Sequence, residues 1–385
     1  MTDARPCSLR NSRLLRRLCF LLCVLLGCCL FPVSRAQELD KPLQNIDEEI
    51  TAFSFAPDGR IAYSVRRLFK TKQYDLQRDD IWIQEAGGKR RRLLQGEKFL
   101  RGTAPFSYAV DSFHWSPNGR LLLAQLFTTT VTEDAGRPED SFATLVLEDN
   151  GKEIRVAGGD SLIKDSANAS FLPDNSTIIY LAEAVKPRVL YSLKYVNVSG
   201  GSVKLSFEGR TFLDANRIPY SGAAIAVEQS HAQTGPPRLQ HLDLQTQEDT
   251  ELATLDGYVG GLAVSPSGKK AAYFIDREVL EVRDLAATDH VARLRIGIGV
   301  FQWAPDENRI LLKRALEKKS GDIVWIDIPP LTVAQPGKEI PVTQPLPRPI
   351  LHGLTFRDFA ISPDGRFLAV VAPGKRNLLV FPLPR

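Results

Sequence analysis

The sequence predicts an all-β chain built as a ring of repeated sheets, and three observations predict it. A proline-centred segment recurs along the chain, apolar residues alternate on either side of it, and the body lacks a helical 3.6-residue period. Six copies of the segment cover residues 53–60, 113–120, 169–175, 262–269, 301–308 and 359–366, the first reading Phe-Ser-Phe-Ala-Pro-Asp-Gly-Arg. In each, the proline presets φ near −65°, and Asp-Gly or a variant supplies a side-chain hydrogen bond and a positive φ. Each copy is therefore the turn of a β-hairpin, followed by a second apolar run such as 60–65 or 366–371.

The gap from Pro173 to Pro266 is about twice the usual spacing, and within it residues 218–227 form a worn copy beginning Ile218-Pro219-Tyr220. Further strands are expected at 80–84, 91–94, 141–146, 153–156, 189–193, 203–207, 239–242 and 251–255. Four strands per unit and seven units make a single β-propeller of seven four-stranded blades over residues 37–385, or six blades if the worn copy is not a unit. The last unit lacks an outer strand, because only four residues follow 377–381. The segment 38–46 is expected to supply it.

Ahead of the repeats, Arg5, Arg10, Arg13, Arg16 and Arg17 precede an uncharged run, 18–33, and then Ser34-Arg35-Ala36. This reads as a secretory signal over residues 1–36, cleaved after Ala36. An uncleaved membrane anchor is the alternative. A lipoprotein signal at Cys28 is a third reading, with Leu26 standing where a small residue is usual, and Arg16-Arg17 matches a twin-arginine signal poorly. All five cysteines and the single methionine fall within the first 29 positions, which excludes thiol chemistry, disulfides and cysteine-ligated metals from the body. Six arginines and one acid lie within residues 1–36, so the body is near neutral and the basic pI of 8.7 is no argument for nucleic acid. Asn168, Asn175 and Asn197 would be glycosylation acceptors only in a eukaryotic secretory route.

In these repeats the chain resembles the TolB-like, WD-like propellers, whose units read apolar-x-Trp/Phe-Ser-Pro-Asp-Gly-Arg/Lys. The resemblance runs from about residue 51 to 381. It implies the fold, and the group's members include a periplasmic protein acting through protein contacts and the propeller halves of prolyl-oligopeptidase-type peptidases. The body carries no Gly-x-Ser-x-Gly elbow of the peptidase kind.

The repeated Asp58, Asp174, Asp306 and Asp364 occupy one place in each unit and are expected to serve their turns. Trp115, Trp303, Phe55 and Phe171 are expected as core between blades. His114 and His241 lie in strand patterns and read as packing or surface residues, while His231 and His352 lie in loops. No catalytic set, metal ligands or cofactor motif is expected. From Asp58 to Arg101 basic residues outnumber acids twelve to six, and the run Lys89 to Arg92 reads as a charged outer edge. The prolines from Pro329 to Pro349 read as a stiff connection with a poor outer strand. Long, dissimilar loops are expected at the end of the ring opposite the Pro-Asp-Gly turns, and binding residues concentrate on such loops. The candidate binding residues there are Arg66, Arg67, Lys70, Lys72, Tyr108, Asp111, Asp214, Tyr258, His352 and Arg357, with Phe106 and Phe212 beside them.

Together these readings point to an exported, non-catalytic binding scaffold of the bacterial cell envelope, periplasmic or secreted. An envelope protein or an acidic, polymeric ligand is the expected partner. Nucleic acid is not expected, membrane contact would come only through an uncleaved signal or lipid anchor, and the ring is expected to be monomeric. A funnel-site enzyme, or an accessory propeller of a separate peptidase or hydrolase, is the alternative.

Overall fold

Strand pairing follows the repeat unit by unit. The computed structural model describes Leu39 and residues 41–383 except 71–74, 100–105, 132–137, 157–158, 186–189, 231–234, 256, 258, 298, 315–321, 336 and 352–357. The N-terminal segment read as a signal lies outside the described residues. The first blade pairs Ile50–Phe55, Ile61–Val65, Asp80–Gln84 and Arg90–Leu94 in order, with a small hairpin, Leu68–Lys70 and Asp75–Gln77, inserted after its second strand. The second pairs Phe106–Trp115, Leu121–Val131, Pro138–Glu148 and Leu162–Lys164, and the third Ala167–Phe171, Thr177–Val185, Leu190–Asn197 and Lys204–Ser206. The fourth pairs Phe212–Arg217, Ala223–Glu228, Arg238–Asp243 and Asp249–Thr254. In the fifth, Gly260–Val264, Lys270–Phe274, Val279–Asp284 and His290–Arg295 follow the same order. The sixth pairs Gly299–Trp303, Arg309–Arg314, Ile323–Asp327 and Arg348–Leu351. The seventh takes Phe359–Ile361, Phe367–Val371 and Leu378–Pro382 from the chain end, and Gln44–Ile46 from the start.

That last pairing closes the ring in the expected way. Gln44, Asn45 and Ile46 lie opposite Val380, Leu379 and Leu378, so the outer edge of the seventh blade is covered by the strand leading into the first. Two expectations shift. The outer strand of the second blade is Leu162–Lys164 rather than 153–156, where Glu153 makes only an isolated bridge to Leu147. The proline-rich connection does more than link: Thr332–Val333 and Val342–Thr343 lie against the outer strand of the fifth blade before Arg348–Leu351 completes the sixth. These additions sit at a sheet edge, where a proline's missing N–H costs no ladder bond.

The second strand of each blade explains the apolar runs. Side chains alternate across a strand, and here both faces are covered by neighbouring blades, so successive residues are all apolar. In Lys270–Phe274, Ala271 and Tyr273 pack with Ile225 and Leu239 of the fourth blade, while Ala272 and Phe274 pack with Ile310 and Val324 of the sixth. Seven such layers are formed among the described residues, the last uniting Ile46, Ile50 and Tyr63 with Val371, Leu378 and Val380. Truncating one of these fully buried Leu or Ile side chains to Ala costs about 2–5 kcal/mol.

The turns carry out the chemistry expected of them. Asp58, Asn118, Asp174, Asp306 and Asp364 each accept a hydrogen bond from the backbone N–H two residues on, at 2.9–3.2 Å. The residue after each, Gly59, Gly119, Asn175, Glu307 and Gly365, takes positive φ. Gly268 fills that place in the fifth blade with φ +76°, and a Cβ there would stand 2.7 Å from Ile218 Cγ2, so only glycine fits. The worn copy turns differently. Its positive φ, +61°, falls one place earlier, on Tyr220, immediately after Pro219. This is the type II arrangement, which ordinarily demands glycine or asparagine at that place.

Candidate functional site

The first strands line the central channel, and at the turn end their last residues and the turn prolines frame a cavity of about 390 Å³. Pro57, Pro117, Pro173, Pro219 and Pro363 stand around its rim. Ser54 and Phe55 come from the first blade, His114 and Trp115 from the second, Ser170 from the third, and Arg217 and Tyr220 from the fourth. No Asp or Glu is among these lining residues.

Arg217 is the unusual member. It occupies the place two before the turn proline, where the other copies carry Phe55, Trp115, Phe171, Val264, Trp303 and Ile361. Backbone register confirms the equivalence: Arg217 lies opposite Ala224 as Trp115 lies opposite Leu122 and Trp303 opposite Ile310. A guanidinium thus stands at a position the repeat reserves for apolar groups. It is half-buried, and among the described residues it has neither a hydrogen bond nor an ion pair. Burial lowers its pKa, and only the hydroxyl of Tyr220 acts in the other direction. Arg217 remains charged at neutral pH.

The polar neighbours of Arg217 in the lining are uncharged. His114 is exposed at the mouth, and the enclosing wall, followed by the charge of Arg217, lowers its pKa below the ordinary imidazole value, so the ring is neutral at pH 7. The Ser170 hydroxyl makes no hydrogen bond among the described residues. Tyr220 is 85% exposed beside them, an aromatic side chain held out on a backbone conformation unfavourable for its type. Trp115 has a buried indole N–H without a partner among the described residues, whereas the equivalent Trp303 donates to the Ala263 carbonyl at 3.2 Å.

The candidates chosen from sequence are distributed otherwise. Lys72, Tyr258, His352 and Arg357 lie outside the described residues. Tyr108 is not a lining residue: it is 1% exposed, donates its hydroxyl to the Asp79 carbonyl at 2.7 Å, and packs edge-on against Phe99. Phe106 and Phe212 are likewise core, because strand alternation turns them into the layers between blades. Arg66 pairs with Glu49 at 3.0 Å, and Arg67 with Asp80 at 3.2 Å and Glu48 at 3.5 Å, so their charge is largely compensated. Lys70 is exposed on the inserted hairpin opposite Asp75. Asp111 is exposed at a bulge between Val110 and Ser112. Asp214 is half-buried, accepts from the Ala215 N–H at 2.8 Å and from Asn168 at 3.2 Å, and has its pKa raised by burial.

A second group escaped the sequence reading. Asp79 is fully buried where the first and second blades meet and accepts from Thr51 at 2.7 Å, Gln77 at 2.9 Å and the Val110 N–H at 2.9 Å. Burial raises its pKa against these bonds. Both of its oxygens are engaged inside the wall, which makes it a fastener between blades.

No protein-family model matches the chain, and no curated protein matches it. Among solved structures it is similar to a chain of the Mitotic Checkpoint Complex, 12% identical at a TM-score of 0.55, over 92% of this chain and 99% of that one. It is also similar to the Cps50 (Swd1) beta-propeller domain of Myceliophteria thermophila, 12% identical at 0.52, over 89% and 99%. TolB from Acinetobacter baumannii aligns at 0.43 with 14% identity, over 86% of this chain and 66% of that one, too loosely to carry an argument. At these identities the likeness is one of fold: the chain is an all-β propeller.

Proposed function

We propose that this propeller is an exported, non-catalytic binding scaffold of a bacterial cell envelope, and that its partner docks at the turn-end mouth of the channel. The observation that carries the reading is Arg217, a half-buried cation without a counter-ion among the described residues, in a cavity walled by neutral polar and aromatic groups. Uncompensated charge is costly to keep in a fold, and such a departure from the repeat is best explained by a use. Export rests on the arginine-rich, apolar and Ser-Arg-Ala pattern of residues 1–36. The Ser-Pro-Asp-Gly units support placing the chain among TolB-like, WD-like propellers.

The test compares two clusters of substitutions in the full chain. Envelope extract is passed over the immobilised protein, over a mouth variant, Phe55→Ala with Tyr220→Ala, and over a loop-end variant, Lys70→Ala with Asp111→Ala. Loss of the captured partner from the mouth variant alone is expected. Loss from the loop-end variant alone moves the site to the other end of the ring. A reporter fused after residue 36 and assayed for secretion tests export.

A further inference from the structure

The chemistry of the mouth names the group it takes. Resting on the mouth as the binding site, we propose that Arg217 anchors a carboxylate, carried on an apolar or aromatic body that lies against Phe55, Trp115 and Tyr220. Three observations support this. First, the guanidinium offers a planar fork of N–H donors, none of them used among the described residues, and a carboxylate is the anion whose two oxygens match that fork. Second, the lining carries one positive charge: His114 is neutral and the remaining polar groups there are hydroxyls and an indole, so a monoanion balances the site where a phosphate dianion would overcharge it. Third, the rest of the wall is proline and aromatic, which suits an apolar body, and about 390 Å³ is room for a molecule or peptide end of that kind.

A structural role for Arg217 makes the opposite demand. An arginine that serves the fold is ion-paired or hydrogen-bonded, as Arg210 is to Glu228 at 2.6 Å and to Asp249 at 2.8 Å in the same blade. Arg217 has no such partner among the described residues, and the apolar residues at its place in the other blades show that the fold does not need a charge there. Tyr220 adds to the case. Its strained backbone holds an aromatic ring over the mouth, and strain of this kind collects at ligand clamps.

Two sources share this chemistry, a free aromatic acid and the C-terminal carboxylate of a protein, and the experiment separates them. Titration calorimetry on the full chain at pH 7 uses 3-phenylpropionate, an acetylated tetrapeptide ending in Phe with a free carboxylate, the same peptide amidated, and inorganic phosphate. Binding of a carboxylate probe is expected, with loss of affinity by roughly 10- to 100-fold in Arg217→Met and a smaller loss in Arg217→Lys, which keeps the charge but not the fork. A peptide acid binding more tightly than phenylpropionate identifies a protein terminus, and equal affinity identifies a small acid. Thermal melting of Arg217→Met is expected at or above the wild-type Tm. The inference is overturned if Arg217→Met binds within about twofold of wild type, if the amide binds as well as the acid, if phosphate binds more tightly than every carboxylate, or if no probe binds at millimolar concentration. A fall in Tm matching that of a core truncation, Leu239→Ala, would likewise make Arg217 structural. Partner capture that needs the mouth cluster but survives Arg217→Met sinks this inference and leaves the proposed function standing.

Discussion

Arginines in two adjacent blades show what distinguishes a charge that holds the fold from one that waits for a ligand. In the fifth blade, Arg283 and Arg293 converge on Glu281, which is 1% exposed and lies 2.5 and 2.9 Å from them, and the Tyr273 hydroxyl donates to the same carboxylate at 2.6 Å. Burial alone would raise the Glu281 pKa, but the charge of Arg283 and the hydrogen bonds of Tyr273, Arg283 and Arg293 outweigh it and lower the pKa overall. In the fourth blade, Arg217 is half-buried and has none of this among the described residues. Breaking the first cluster should cost stability, while altering the second should cost only binding.

The largest expected effect is Glu281→Gln, which leaves two guanidinium groups around a neutral amide. A loss of about 3 kcal/mol is expected, at the low end for a buried pair because Arg293 reaches solvent, and urea melts read it directly. Acid sharpens the point. The folded pKa of Glu281 lies below its unfolded value of 4.5, so its contribution is complete above that pH and is lost as pH falls through the folded value. Wild-type Tm should therefore drop more steeply below pH 4.5 than that of Glu281→Gln, and parallel acid limbs would show that the cluster does not govern acid stability.

Next comes Tyr273→Phe, which removes one hydroxyl donor from a buried carboxylate and should cost about 1.5–3 kcal/mol by the same melts. Changes at the mouth should run the other way. Tyr220→Gly relieves the positive φ and should raise stability by about 1 kcal/mol while weakening binding, so a lower Tm would show that the exposed ring supports the fold. The smallest effect is expected from Ser170→Asp, which sets a carboxylate in the same cavity as Arg217. A gain of about 0.5 kcal/mol and loss of acid binding would reproduce the fifth blade's logic in the fourth. An unchanged Tm together with unchanged binding would place Arg217 out of reach.

How much of this was legible in the chain differs by kind of residue. Pro-Asp-Gly turns declare themselves because a tight reversal depends on neighbours in sequence: Asp58, Asp174, Asp306 and Asp364 bond backbone groups two residues away. The closing strand was legible for a similar reason, a missing outer strand at one end and a spare segment at the other. Arg217 was also visible in principle, as a cation where six other copies are apolar, but it sits in the copy worn enough to be treated as a lapse of the repeat.

The sequence by itself determined the hairpin unit, its recurrence, the two-faced apolar strands and the closure, since each follows from side-chain period and turn chemistry within one unit. Only the tertiary structure decided which polar groups meet. Tyr108 was chosen as a lining residue and lies in the core because the extended first strand of the second blade turns it onto Asp79, 29 residues away in sequence. Arg66 and Arg67 read as a field and are paired with Glu49 and Glu48, in the connection just before the first blade, and with Asp80 of the same blade. Whether a charge is compensated depends on what lies within a few ångströms in space, and in a ring those neighbours belong to other blades, whose register no single repeat records.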